Sequence, residues 1–188
     1  MINRSFLFLI LCFLFSSVGA QKMRDVLKQM PTQMVPYLQE NALLDFVDFI
    51  DSGMRAEVSN SFDGKSVLMT LTDNYASLSL TASSQLDMRL LDVATPVDSA
   101  RQIVCVVCTY GTDVRESTIG FYSVNWRPLN TAEWVDVPQE MCVMTLSENE
   151  PTLTIIPECR LDAPATEEQE ELTGMSTILK WGDGKFNK

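Results

Sequence analysis

Two cysteines three positions apart, in "RQIVCVVCTYG" (residues 101–111), have the spacing in this 188-residue chain that most directly suggests chemistry. Cys105 and Cys108 form a C-x-x-C. At a helix N-terminus that spacing supports thiol–disulfide exchange, because the helix end lowers the thiol pKa. Paired with a second C-x-x-C it makes a zinc site. Neither context is present here. Ile-Val-Cys-Val-Val-Cys-Thr-Tyr is dominated by β-branched residues and has no helix start, so the segment reads as a strand. Side chains alternate along a strand, and an offset of three sends the two thiols to opposite faces. They are expected to be buried structural cysteines.

The chain contains no histidine. This excludes Ser-His and Cys-His nucleophile pairs, histidine-ligated zinc, and proton transfer by the side chain that titrates near neutrality. P-loop, G-x-S-x-G and dinucleotide-binding fingerprints are absent as well. Carboxylates remain. Asp45, Asp48 and Asp51 fall on the polar side of a helical segment, where they read first as a solvated face. Acids toward a helix C-terminus oppose its dipole, so a cationic partner or Ca²⁺ is the sharper reading. No EF-hand pattern supports calcium. Glu167, Glu168, Glu170 and Glu171 read as a solvated turn or helix start. Paired carboxylates can cleave glycosides, but nothing in the sequence brings a particular pair together. No catalytic residue, metal or cofactor is expected.

Cys142 and Cys159 bracket the hairpin pattern "CVMTLSENEPTLTIIPEC". A two-residue loop places them diagonally and a four-residue loop directly opposite, on one face in either register. Four cysteines outside residues 1–20 allow three connectivities. The expected one is Cys142–Cys159 with Cys105 and Cys108 free, which in an oxidising compartment contributes about 2–4 kcal/mol. Tyr122, Val124 and Trp126 share a strand face opposite Phe121. Such aromatics either pack in a core or, if exposed, mark a partner surface.

The elements that must position these residues begin after a leader. Residues 1–20, "MINRSFLFLILCFLFSSVGA", have the charged n-region (Arg4), apolar stretch (Phe6 to Phe15) and small-residue end (Val18-Gly19-Ala20) of a secretory signal peptide. Cys12 lies inside the apolar stretch without small residues before it, which argues against lipid anchoring. Removing the leader takes the bases from 14 to 13 against 25 acids, a net charge of −12. Such a charge repels phosphate backbones, so nucleic acid is not an expected partner. No later segment is long and apolar enough for a transmembrane helix.

In residues 21–188, Met23, Val26, Leu27 and Met30 make a helical stripe closed by Pro31. Asn41 is placed to cap "ALLDFVDFIDSG", whose stripe is Leu43, Phe46, Val47 and Ile50 and whose stop is Gly53. The period then changes from 3.6 to 2. Strand patterns follow at 67–71, 78–80, 85–93, 101–110, 117–126, 142–146 and 153–157, with "STILKWGDGKFNK" as a closing hairpin. Thr166 to Gln169 has capping-box spacing, which predicts a short acidic helix stopped at Gly174. "MTLTDNYASLSLTASSQLD" from Met69 aligns without gaps on "MTLSENEPTLTIIPECRLD" from Met144, with seven of nineteen positions identical. Leu/Thr-rich strands match one another easily, yet the offset also brings Ile103-Val104 onto Ile178-Leu179. The reading is an internal duplication, with units about 21–126 and 127–188.

The succession "MRDVLKQMP", "NALLDFVDFIDSGMRAEV", "DGKS", "LTDNYASLSL", "PVDSARQIVCVVCTYG" and "FYSVNWRPL" resembles an exported Bacteroidales family of unknown function (domain of unknown function 3256). The resemblance implies export from a Gram-negative cell to the periplasm or surface, and no activity or site residues. In outline, two helix-plus-antiparallel-sheet units are also similar to the tandem-repeat β-lactamase inhibitor protein fold, an analogy of architecture alone.

The expected fold is therefore a single α+β domain, with short N-terminal helices packed on a mostly antiparallel sheet built from two related meanders. The expected function is that of an exported non-catalytic binding protein using Asp45, Asp48, Asp51, Tyr122 or Trp126 against a protein or glycan of the cell envelope. The alternative is a histidine-free, carboxylate-dependent hydrolase of envelope or dietary glycans.

Overall fold

The computed structural model describes residues 22–157 and 176–188. Residues 1–20, where a leader is expected, Cys159 and the segment 166–174, where an acidic helix is expected, lie outside these residues. Two short helices come first, α1 (Met23–Lys28) and α2 (Ala42–Asp51). A seven-stranded meander follows: β1 (Glu57–Ser59), β2 (Lys65–Leu71), β3 (Tyr75–Thr81), β4 (Ser84–Val97), β5 (Ala100–Tyr110), β6 (Glu116–Ser123) and β7 (Pro128–Leu129). β8 (Cys142–Leu146), β9 (Thr152–Pro157), β10 (Thr177–Gly182) and β11 (Lys185–Asn187) form a second sheet of four strands. Every strand pair is antiparallel.

The two meanders do not share one sheet. The Pro-interrupted stretch 127–140, with a 3₁₀ turn at Thr131–Glu133, separates the two meanders. The four-stranded sheet packs on one face of the seven-stranded one, and the helices pack on the other. One core contains Val26, Leu27, Phe46 and Val47 of the helices against Leu78, Leu86, Met88 and Val106. The other joins Ile103, Cys105, Val107 and Phe121 to Met144, Leu146, Leu153 and Phe186. A run buried on both sides carries no period-2 polarity, because neither face meets water. This accounts for Ile103–Val107, which reads as a strand while its neighbours on both sides stay hidden in the sequence.

The helices are short and are secured by specific contacts. α1 ends at Lys28, before the Met30 that closes its stripe, and Pro31 lies beyond it. The indole N–H of Trp126 donates to the Val26 carbonyl oxygen at 2.9 Å, serving a backbone group of a helix too short to be stable alone. At the start of α2, Asn41 occupies the cap position with φ 78° and no side-chain cap bond, so the expected Asn cap does not form. The C-terminus follows the sequence. Gly53 takes φ 68°, and the Gly53 and Met54 amides donate to the Ile50 and Phe49 carbonyls at 3.0 and 2.8 Å, the Schellman arrangement.

The aligned hairpins β2–β3 and β8–β9 share a turn. The Thr72 hydroxyl oxygen accepts from the Asn74 and Tyr75 amides at 3.4 and 3.0 Å. Ser147, at the matching position, accepts from Asn149 and Glu150 at 3.3 Å each. The strand registers differ: Leu71 pairs with Ala76, whereas its counterpart Leu146 pairs with Leu153. In β8–β9 Cys142 lies opposite Pro157, the diagonal register of the two considered above. Cys142 carries a free thiol, and its expected partner Cys159 lies outside the described residues.

Polar groups fasten the sheets together. Asp87 and Arg89, on β4, face the second sheet and are buried. The Tyr75 hydroxyl donates to Asp87 at 3.2 Å, and the Gln85 amide nitrogen donates to both of its oxygens at 3.1 and 3.2 Å. Burial, reinforced by the Asp87 charge, pushes the Tyr75 phenol up to about 12. A raised phenol pKa stabilises the fold fully below the ordinary value near 10, and that contribution is lost as pH rises through about 12. Arg89 donates to the Ser147 and Glu148 carbonyls at 2.5 and 2.9 Å, pinning the β8–β9 turn to the central sheet. At the far edge Phe121, Trp134, Trp181 and Phe186 pack ring to ring at 5.1–6.4 Å.

Cys105 belongs to the inter-sheet core and Cys108 to the helix-side face. Burial pushes both thiols up. In the native protein, alkylation followed by mass spectrometry should modify half-buried Cys108 first, with Cys105 reacting only on unfolding. Equal rates, or a bond between the two sulfurs, would contradict this placement.

Candidate functional site

The helical layer does not reach the end of the sheet. Beyond it, where β3 turns into β4 and β5 ends, lies a cleft of about 690 Å³. Tyr37, Phe62 and Tyr110 supply its aromatic surface, and Ser79, Thr81, Ser83 and Ser84 line it with hydroxyls.

Each wall has a local cause. Phe62 sits in the β1–β2 turn, which the buried Asn60 side chain organises. Its carbonyl oxygen accepts from the Phe62 and Gly64 amides at 3.0 and 3.1 Å, and its NH₂ donates to the Leu80 carbonyl at 3.1 Å. This is an Asx turn, a device by which Asn replaces backbone partners. With Asn60 committed inward, Phe62 is forced out and is 64% exposed. Tyr37 is tied to the same turn, since the Ser61 amide and hydroxyl donate to its carbonyl at 2.9 and 3.0 Å. The Tyr37 and Phe62 rings stand 5.2 Å apart, tilted by 42°.

The opposite wall is the β3–β4 turn. The Thr81 and Ser84 hydroxyls share a 2.7 Å hydrogen bond, and the Gly111 amide donates to the Ser83 carbonyl at 2.9 Å. Gly111 is obligatory there: its φ is 101°, and a Cβ would run into the Val114 carbonyl oxygen. Tyr110, immediately before it, is 45% exposed. Burial and the neighbouring Cys108 thiol push its phenol up to about 12, so it is a neutral donor at physiological pH. A second hollow of about 350 Å³ lies against the same turn, bordered by Gln85, Thr109, Thr112 and Arg115.

Among the described residues no carboxylate lines the cleft, and the one charge lining it, Lys65, stands 3.9 Å from a Glu57 oxygen. Cys108, beside Tyr110, is held protonated by burial. The arrangement can hold a ligand through ring faces and hydroxyls. It brings together no nucleophile with a base. Among the described residues no cluster of three or more His, Cys, Asp or Glu is placed to hold a metal, and no helix is long and apolar enough to cross a membrane.

The residues singled out in the sequence lie elsewhere. Asp45 and Asp48 are exposed on α2. Asp51 is engaged by Arg24 of α1 at 2.5 and 2.6 Å, an ion pair on the surface rather than an open cation site. Trp126 is 7% exposed, packed with Val124 and Tyr122 against the helices, and its indole N–H is spent on α1, so it offers little surface to a partner. Tyr122 is half-buried, its ring over Gly120 and 5.6 Å from Trp126. Sequence reasoning missed the cleft aromatics. The signal available was "NSFDG", where a Phe inside a Ser/Asp/Gly turn has no strand or helix to bury it.

The chain belongs to the family of proteins of unknown function DUF3256, whose model matches residues 15–159. It is similar to the solved structure of a domain of an uncharacterized protein from Porphyromonas gingivalis W83. The TM-score is 0.67 at 20% identity, covering 89% of this chain and 98% of that one. The likeness establishes the fold alone. No curated protein matches the chain.

Replacing Asn60 with Ala strands the Phe62 and Gly64 amides and removes one of the two side-chain donors to the Leu80 carbonyl, the Ser66 hydroxyl being the other. The expected result is a loss of about 1–3 kcal/mol in denaturant unfolding with faster proteolysis at the Phe62 turn. An unchanged midpoint would show that Asn60 does not organise the wall.

Proposed function

We propose that this chain is an exported, non-catalytic binding protein of a Gram-negative cell envelope, and that its ligand lies in the cleft between Tyr37, Phe62 and Tyr110. The observation that carries the reading is the exposure of Phe62 and Tyr110, 64% and 45%, around one opening whose polar wall consists of hydroxyls. Exposed aromatics that converge on a concavity are the side chains most able to supply binding energy at small entropic cost. The lining contains no general base and no pair of carboxylates, which favours retention of a ligand over its conversion. The leader pattern of residues 1–20 supports export, and the envelope follows as the place where a partner is met.

Titrating envelope extract into isotope-labelled protein tests this. The expected chemical-shift changes cluster at Tyr37, Phe62, Ser83 and Tyr110, and the retained component keeps its mass. Changes centred on the α2 acids, or the appearance of cleaved products, would refute the reading.

A further inference from the structure

We infer that the ligand is an uncharged oligosaccharide laid across the β3–β4 turn; this rests on the cleft being a binding site and names its ligand class. Three features select it. First, the aromatic rings offer apolar faces of negative quadrupole. The C–H-bearing face of a pyranose is complementary to such a surface, being weakly polarised and flat. Second, the facing wall is made of hydroxyls, Ser79, Thr81, Ser83 and Ser84, contributed by one turn. A hydroxyl both donates and accepts, and a sugar presents groups of the same dual character at close intervals. An extended peptide would instead call for an open strand edge to pair with. Here the wall is carried by β3 and β4, which are interior strands of the seven-stranded sheet and offer no edge.

Third, charge argues against ionic ligands. The chain carries a net charge of −11, yet the cleft has no carboxylate to attract a cation. Its single cation, Lys65, is already beside Glu57 and lies 3.5 Å from the Ser59 hydroxyl. An anion would enter against the field of the whole molecule, with one compensated ammonium in the cleft and the Arg115 guanidinium at the border of the second hollow.

Geometry favours a chain over a single sugar. The two hollows, about 690 and 350 Å³, share Ser79, Thr81, Ala82, Ser83, Ser84 and Gly111. A linear ligand stacked on Phe62 and Tyr110 would therefore continue past the turn toward Gln85, Thr112 and Arg115 without leaving contact with polar groups.

Calorimetric titration of the leaderless protein with maltohexaose, cellohexaose, mannohexaose, hexagalacturonate and a neutral serine-rich peptide tests the inference. At least one neutral oligosaccharide should bind saturably, with affinity unchanged between about 0.05 and 0.5 M NaCl. Phe62→Ala and Tyr110→Ala should each weaken it about tenfold or more. Phe62→Tyr and Tyr110→Phe keep the rings and should restore binding. Ile178→Ala, on the exposed face of the second sheet, should leave it intact. Binding of hexagalacturonate or of the peptide, abolished by the same Ala variants, would overturn the ligand class while upholding the cleft as a site. Binding indifferent to both Ala variants, or none across the panel, would overturn both.

Discussion

From Leu86 to Leu91 on β4 and from Ile103 to Val107 on β5, every residue is buried on both faces. Both sides of these two strands must be covered at once, and the rest of the molecule is arranged to do so. The helices supply one cover and the four-stranded sheet the other. At about 1.5–3 kcal/mol for each fully buried large apolar side chain, Phe46 and Leu27 above and Phe121, Met144 and Leu153 below hold the two layers in place. Neither layer has comparable means of its own. α1 spans six residues and α2 ten, lengths at which an isolated helix is marginal.

The same constraint explains where polar groups are tolerated. Asp87 and Arg89 interrupt the apolar run of β4 on the face toward the second sheet. Tyr75 and Gln85 serve the carboxylate, and the Ser147 and Glu148 carbonyls serve one terminal nitrogen of the guanidinium, whose buried Nε has no partner among the described residues. Burial lowers the Arg89 pKa from its ordinary value, though the group remains a cation. Because Arg89 holds a turn of the other sheet, it sets position as well as stability. On the opposite face the helices end before the sheet does, and the uncovered margin becomes the cleft. Phe62 is exposed there because the Asn60 side chain that organises its turn is committed inward.

Much of this architecture was legible in the sequence. The helical stripes, the change to period 2, the Gly53 stop and the divergence of Cys105 and Cys108 all follow from local patterns, and the structure reproduces them. The stacking of two sheets was not readable, because a strand buried on both sides loses the alternation that reveals a face. Trp126 lies with Tyr122 and Val124 on the helix side, opposite Phe121, as their spacing suggests, but the helices cover that side and bury it, which the spacing does not reveal. The cleft depends on contacts between residues 37, 62, 83 and 110, which no local periodicity connects. The acids of α2 were visible from their spacing, yet the structure gives one of them to Arg24 and leaves the others in solvent.

Native-state hydrogen exchange tests the central constraint most directly. If two-sided burial of β4 and β5 organises the fold, the amides of Leu86–Leu91 and Ile103–Val107 should be the slowest to exchange, opening only with global unfolding. Loss of protection in β8–β11 should not precede theirs by a large margin, since uncovering the second sheet exposes the same core. Rapid exchange in β5, or independent opening of the four-stranded sheet with β5 still protected, would contradict it.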